Sequence, residues 1–103
     1  MSDFFHLDGP RFGAEPGKAK RLVMLLHGLG ADGDDLISLS PYFARVLPDA
    51  AFVSPHAPFP CDMAPYGRQW FSLQDRTPAT VLAGVQAAAP ILNKYIDSER
   101  ELY

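Results

Sequence analysis

The chain has 103 residues, with 9 Lys and Arg, 12 Asp and Glu, and a formal net charge of −3. Its 48% hydrophobic and 20% charged residues are typical of a globular domain and argue against intrinsic disorder. The acidic balance gives no support for a nucleic-acid partner or a polybasic membrane contact. The single cysteine excludes an internal disulfide and a metal cage built from several cysteines.

The N-terminal residues favour a cytoplasmic protein. Met1–Phe5 carries no basic region and no long apolar run, so no secretory signal is predicted. The longest strongly hydrophobic run, Leu22–Leu26, is far too short for a transmembrane segment. We predict one domain over 1–103. Its parts are an N-terminal strand, turn and loop over 1–20, a βαβ unit over 21–54, a proline-rich loop over 55–76 and a helix over 77–103.

Three strands are predicted in the first half of the chain, one weakly and two clearly. Phe4–Leu7 indicates a weak strand, Asp8–Pro10 a turn, and the polar segment Gly13–Lys20 a loop. Arg21–His27 is almost continuously apolar, as is typical of a parallel strand buried on both faces. Ala50–Val53 predicts a second short buried strand parallel to it.

A helix is predicted between these two strands. Asp34 or Asp35 is expected to cap its N-terminus, and apolar residues follow at helical spacing as far as Leu47. Pro41 is expected to begin a fresh helical turn, because proline is tolerated at a first helical position. The resulting βαβ unit predicts a right-handed crossover.

The second half of the chain is predicted to be a long loop and a long helix. Pro55–Gln69 contains four prolines, which predicts no regular structure, and loops of this length are often functional. Thr77 followed by Pro78 is typical of a helix N-terminus, and apolar residues continue at helical spacing toward the C-terminus. Pro90 lies inside that pattern and predicts a kink or a break.

The glycine-rich segment Gly28–Gly33 admits more than one interpretation. It matches the dinucleotide-binding pattern G-x-G-x-x-G between a strand and a helix. Asp32, Asp34 and Asp35 oppose this, because they crowd the helix N-terminus where a pyrophosphate would bind. The next strand ends in Phe52–Ser54, with no acidic residue to hold a ribose.

Two further interpretations of this segment differ in strength. A calcium loop starting at Asp32 needs an acidic residue at its twelfth position, which is Phe43, so it is excluded. The third interpretation begins with His27–Gly30, at the end of a buried strand. In α/β-hydrolases the loop at this place supplies a main-chain N–H to the oxyanion hole.

Three motifs together resemble the phospholipase/carboxylesterase family, which includes bacterial carboxylesterases and acyl-protein thioesterases. They are HGLGAD at 27–32, FVSPHAP at 52–58 and QWF at 69–71, and the similarity covers most of the chain after Arg21. The resemblance implies the N-terminal part of an α/β-hydrolase fold, an incomplete and mostly parallel sheet with flanking helices. It also implies a serine hydrolase that cleaves carboxylic esters or thioesters without a cofactor.

The same resemblance implies roles for individual residues. The main-chain N–H of Leu29 forms half of the oxyanion hole. The residues implied to shape the loop around it are His27, Gly28 and Gly30, and His27 is not the catalytic base. Trp70 and Phe71 are implied to form a wall of the substrate cleft, although a lone tryptophan also fits a core position.

The sequence departs from the family where the nucleophile is concerned. The family's catalytic serine lies in a G-x-S-x-G elbow, followed by the acid and the base. Serines stand at positions 2, 38, 40, 54, 72 and 98, and none has glycine two residues before and after it. We therefore expect the 103-residue chain to be inactive by itself.

Other residues offer weak substitutes for the missing nucleophile. His56 and Cys61 lie five residues apart, but no local feature activates the thiol, so an inert cysteine is favoured. The three histidines, including His6, have no metal-ligand spacing, and no metal site is predicted.

A second function class remains open beside the hydrolase. In the family's sheet the elbow strand pairs beside Arg21–His27, so the chain by itself should have an exposed apolar edge. Such an edge predicts a marginally stable or self-associating protein, or a short non-catalytic module that binds a partner strand.

Overall fold

The computed structural model describes residues 7–103, so most of the predicted first strand, at positions 4–6, lies outside the described residues. In chain order the strands are β1 (Arg11–Gly13), β2 (Arg21–Met24), β3 (Ala50–Val53), β4 (Phe59–Pro60) and β5 (Arg68–Gln69). The helices are α1 (Gly33–Leu36), α2 (Ser40–Ala44) and α3 (Pro78–Leu102), with a 3₁₀ turn over Ile37–Leu39 between the first two.

The main sheet has β3 at its centre. Its order is β1-β3-β2, with β3 antiparallel to β1 and parallel to β2. All four residues of β3 are buried, as predicted for Ala50–Val53. β2 and β3 pair in parallel, and a helical segment connects them along the chain. β1 is not predicted by the sequence pattern, which places only a turn and a loop in this region.

β2 is shorter and less buried than its sequence predicts. The regular strand ends at Met24, although the N–H of Leu25 still donates to the carbonyl of Val53 at 2.9 Å. Its residues are half-buried or exposed, so the prediction of a strand buried on both faces was wrong. The reason is its position: within residues 7–103, β2 lies at an edge of the sheet with β3 as its neighbour.

The connection from β2 to β3 is a broken helical segment. Its N-cap is Asp32, whose carboxylate accepts the N–H of Asp34 at 3.0 Å, so the predicted cap at Asp34 or Asp35 was wrong. The correct cap satisfies a first-turn donor that would otherwise have no partner. Pro41 lies at the start of α2, which confirms the predicted fresh turn.

The proline-rich segment contains a short hairpin, contrary to the prediction of no regular structure. β4 pairs antiparallel with β5, and Phe59 lies opposite Gln69. Pro60 is accommodated because a two-residue strand at a sheet edge can lack one N–H donor. We call residues 57–69, which include β4 and β5, the hairpin segment.

α3 covers one side of the sheet. It begins after Thr77 with Pro78 in its first turn, as predicted, and continues through Pro90 without a break. Of the predicted kink or break, the break is absent, because the turn after Pro90 packs its apolar residues against the sheet. Leu7, Val53 and Tyr95 form the buried cluster at this junction. None of the helices within residues 7–103 combines the length and apolar character needed to cross a membrane.

The C-terminal end of α3 is tied to the N-terminal part of the chain. The Arg11 guanidinium forms a two-pronged ion pair with the Glu99 carboxylate, and Arg11 Nη2 lies 3.0 Å from Glu99 Oε2. This bond with Glu99 raises the pKa of Arg11 above its usual range. The N–H of Gly17 also donates to the carbonyl of Leu102 at 3.0 Å.

Candidate functional site

The loop Gly28–Asp32 leaves the C-terminal end of β2 and turns toward α1. Gly30 has φ of +83°, a left-handed conformation that favours glycine, so the turn is made there. Gly28 has no such φ, and a Cβ at this position would meet no atom within 4 Å. Within residues 7–103, the main-chain N–H of Leu29 donates no hydrogen bond. The loop therefore presents an uncommitted N–H donor between two glycines.

His27 is buried directly before this loop, with 3% of its surface exposed. Its Nε2 accepts the N–H of Ala57 at 2.9 Å, and its Nδ1 lies 2.8 Å from the carbonyl oxygen of Gly28. Because Nε2 accepts, the ring proton lies on Nδ1 and is donated to Gly28. Both ring nitrogens are thus engaged by main chain, which fits a structural histidine rather than a catalytic base.

The hairpin segment holds the loop from the other side. The N–H of Gly30 donates to the carbonyl of Arg68 at 3.1 Å, and the N–H of Arg68 donates to the carbonyl of Ala31 at 2.8 Å. Gly67, with φ of +88°, allows this approach, because a Cβ there would lie 2.2 Å from the Gly30 carbonyl oxygen. The loop is therefore fixed by two main-chain hydrogen bonds immediately after Leu29.

The Arg68 side chain supports the same region. Its Nε donates to the carbonyl of Ala57 and its Nη2 to the carbonyl of Pro58, both at 2.9 Å. Sequence reasoning did not single out Arg68 or Gly67. A signal was present in their position next to the QWF motif, but a lone arginine in a proline-rich segment does not indicate which carbonyls it binds.

An apolar groove of about 290 Å³ lies between the end of β2 and α3. Trp70 lines it and also packs against the core, and its Nε1 donates to the carbonyl of His27 at 2.9 Å. Phe71 lines it too. The Phe71 ring packs against Gly84, where a Cβ would lie only 2.5 Å from the ring. The remaining lining residues are Leu26, His27, Val85, Ala88, Ala89 and Leu92. Except for His27, this lining suits an apolar chain.

The N-terminus of α1 is occupied by the protein's own groups. The N–H of Gly33 donates to Nδ1 of His56 at 2.9 Å, and the N–H of Asp34 donates to the Asp32 carboxylate. The N–H of Asp35 donates to the carbonyl of Asp32 at 3.1 Å. A pyrophosphate would need such donors, so these three positions offer none to a dinucleotide.

The side chains of Cys61, His56 and Ser54 are buried or engaged by the main chain. Cys61 is a buried free thiol, and His56 uses its Nδ1 to accept the N–H of Gly33. Ser54 is fully buried, and its hydroxyl lies 2.7 Å from the carbonyl of Gly33. No cluster of three His, Cys, Asp or Glu side chains that could hold a metal ion occurs within residues 7–103.

Comparisons with known proteins identify the family. The family model for phospholipases/carboxylesterases matches residues 9–102. The chain is 38% identical to the esterase YpfH of Escherichia coli (strain K12) over 72 residues, covering 70% of this chain and 31% of that protein. It is also similar to the crystal structure of esterase PE8, with a TM-score of 0.79 and 41% identity over 89% of this chain and 44% of that chain.

These similarities confirm the predicted fold, which is part of an α/β-hydrolase. The chain spans about a third of the curated esterase and less than half of the solved one. Because the family match extends over nearly all the described residues, the chain belongs to the phospholipase/carboxylesterase family.

Proposed function

We propose that this chain is the N-terminal part of a serine hydrolase that cleaves carboxylic esters or thioesters. The observation that carries the proposal is the uncommitted N–H of Leu29, held in a fixed loop beside an apolar groove in a chain of this family. The reaction would be acyl transfer through a serine acyl-enzyme.

In this proposal the Leu29 N–H donates to the oxyanion of the tetrahedral intermediate. A donor that is fixed before reaction stabilises the developing negative charge without reorganisation, by about 3–4 kcal/mol in cases of this kind. The groove lined by Trp70 and Phe71 receives the apolar part of the substrate. The full engagement of His27 with main chain supports its assignment to shaping the loop.

The nucleophile, acid and base are not assigned to residues of this chain. None of its serines lies in a G-x-S-x-G elbow, and one oxyanion donor cannot replace a nucleophile. We therefore expect pure 103-residue protein to show no titratable turnover of p-nitrophenyl acetate. Turnover that is lost on substitution of one specific residue would contradict this expectation.

The coding DNA beyond Tyr103 gives a direct test of the proposal. A reading frame that continues into a G-x-S-x-G sequence should yield a protein that hydrolyses p-nitrophenyl esters and loses activity when that serine is replaced. A continued frame whose purified product hydrolyses neither esters nor thioesters would contradict the proposed function.

The oxyanion donor can be tested in the same longer protein. Leu29→Pro removes the N–H, and Leu29→Ala retains it at a position where the side chain is already 38% exposed. We expect Leu29→Pro to lower kcat by roughly 10²–10³-fold and Leu29→Ala by only a few-fold. Equal decreases of kcat in the two folded variants would contradict the proposed role of the Leu29 N–H.

The alternative function is a non-catalytic module that binds a partner strand. The observation that favours it is the position of β2 at an edge of the described sheet. A genuine stop codon after Tyr103, together with a stable homodimer, would support this alternative over the hydrolase.

A further inference from the structure

Arg68 connects the loop Gly28–Asp32 to the segment that follows β3. Its main chain bonds to Gly30 and Ala31, directly after the proposed oxyanion donor. Its guanidinium bonds to the carbonyls of Ala57 and Pro58, in the segment that follows β3. One residue therefore connects the loop after β2 with the loop after β3.

The Ala57 peptide links Arg68 to His27, which precedes Leu29 in the chain. Its carbonyl accepts Nε of Arg68, and its N–H donates to Nε2 of His27. His27 in turn reaches the carbonyl of Gly28 through Nδ1. The chain is thus held both before and after Leu29, and Arg68 takes part in both connections.

The arginine is committed to main-chain carbonyls rather than to an acid. Within residues 7–103, no ion pair involves Arg68. A planar guanidinium can donate to two carbonyls from two of its nitrogens at once, whereas the single ammonium of lysine on a flexible stem cannot reproduce that fixed geometry. The choice of arginine therefore fits a role in fixing the relative position of the two loops.

We propose that Arg68 is the positioning residue of the oxyanion loop, which fixes the direction of the Leu29 N–H through the Ala57 peptide and Gly30. The proposal rests on the proposed function, since positioning matters only if Leu29 donates to an oxyanion. A displacement of about 1 Å in such a donor is enough to lower a rate roughly 100-fold.

The first experiment needs no ester chemistry. Amide hydrogen exchange is measured by NMR at Gly30 and at Leu25 in the wild-type chain and in Arg68→Ala. The Leu25 N–H donates to Val53 in the sheet and reports opening of the sheet, so a rate increase confined to Gly30 shows local loosening of the loop. We expect Arg68→Ala to raise the ratio of the Gly30 rate to the Leu25 rate at least about tenfold.

Two variants serve as controls. Arg76 also donates from Nε to a main-chain carbonyl, that of Leu73 at 2.9 Å, but away from the oxyanion loop, so Arg76→Ala should leave the ratio unchanged. Arg68→Lys keeps the charge without the planar fork, and we expect it to resemble Arg68→Ala. The same ratio in Arg68→Ala and wild type, including the case in which neither amide is protected, would overturn the proposal.

The second experiment separates positioning from a merely structural role. In the longer, ester-hydrolysing protein, Arg68→Ala should lower kcat roughly 10–100-fold while KM changes little, because the donor acts on the transition state. Unchanged kcat despite faster Gly30 exchange would overturn the assignment to the reaction. Absence of ester hydrolysis in the unsubstituted longer protein would instead contradict the proposed function. The exchange result would then show only that Arg68 holds the loop in place.

Discussion

Tyr95 places its phenol in the buried cluster where α3 meets the sheet, next to Leu7 and Val53. Burial raises the pKa of the Tyr95 phenol to about 12, and the nearby Glu99 carboxylate adds to this effect. Between pH 10 and pH 12 the folded protein therefore keeps a proton that the unfolded chain has released.

The consequence is a loss of stability in alkaline solution. Because the folded state binds more protons than the unfolded state above pH 10, the free energy of unfolding falls as pH rises, by at most about 3 kcal/mol over the full shift. Urea unfolding should show this slope in wild type and a smaller slope in Tyr95→Phe. Tyr42→Phe, at an exposed position, should retain the wild-type slope, and equal slopes in all three proteins would contradict the assignment to Tyr95.

Individual site residues differ in how far sequence could predict them. Roles for His27 and the loop after it could be proposed because HGLGAD, together with FVSPHAP and QWF, resembles the phospholipase/carboxylesterase family, whereas the glycine-rich pattern alone left several interpretations open. The cap at Asp32 was missed because three nearby aspartates have the same chemistry. Which of them caps the helix depends on the residue at which the helical conformation begins. Arg68 could not be assigned, because its partners are carbonyls of Ala57 and Pro58, brought near it by the β4–β5 hairpin.

At the scale of elements, α3 shows how packing outweighs local preference. Pro90 removes one helical hydrogen bond, yet the helix is continuous over 25 residues because its following turns bury apolar side chains against the sheet. The β4–β5 hairpin likewise forms although the prolines of its segment disfavour regular structure. Apolar periodicity predicted the existence of the long elements, while their ends and the short strands depend on contacts distant in sequence.

Replacing Pro90 should therefore stabilise the protein. Pro90→Ala restores an N–H donor at an exposed position without opening a cavity, and we expect the free energy of unfolding to rise by about 1–3 kcal/mol. Asn93→Ala, also exposed on α3, gains intrinsic helix preference alone and should add only about 0.5 kcal/mol. Denaturant titration distinguishes the two, and a Pro90→Ala gain no larger than that of Asn93→Ala would contradict the expectation.

At the scale of the whole molecule, the described sheet ends at β2 beside an apolar groove. Leu26 and Val85, which line the groove, are 44% and 46% exposed. An edge strand of this kind offers main-chain donors and acceptors next to apolar surface, and this combination favours pairing with another strand.

We expect the 103-residue chain to self-associate through this edge. Sedimentation velocity over a range of concentrations should show reversible association in wild type. Val23→Lys, in the middle of β2, should weaken it because a charged side chain disfavours strand pairing at an edge. Val23→Thr keeps the shape and should associate like wild type. A monomer at all concentrations, with a cooperative thermal transition, would contradict this expectation.

The ties between the two ends of the chain also constrain the order of folding. Arg11 meets Glu99 across 88 positions, and Gly17 meets Leu102. Contacts between such distant residues carry a large loop-closure cost, which slows the step that forms them. During synthesis, β1 can pair with β3 as soon as β3 leaves the ribosome. The ion pair between Arg11 and Glu99 can form only after Glu99 in α3 has been made. Until then, the face of the nascent sheet that α3 covers is exposed.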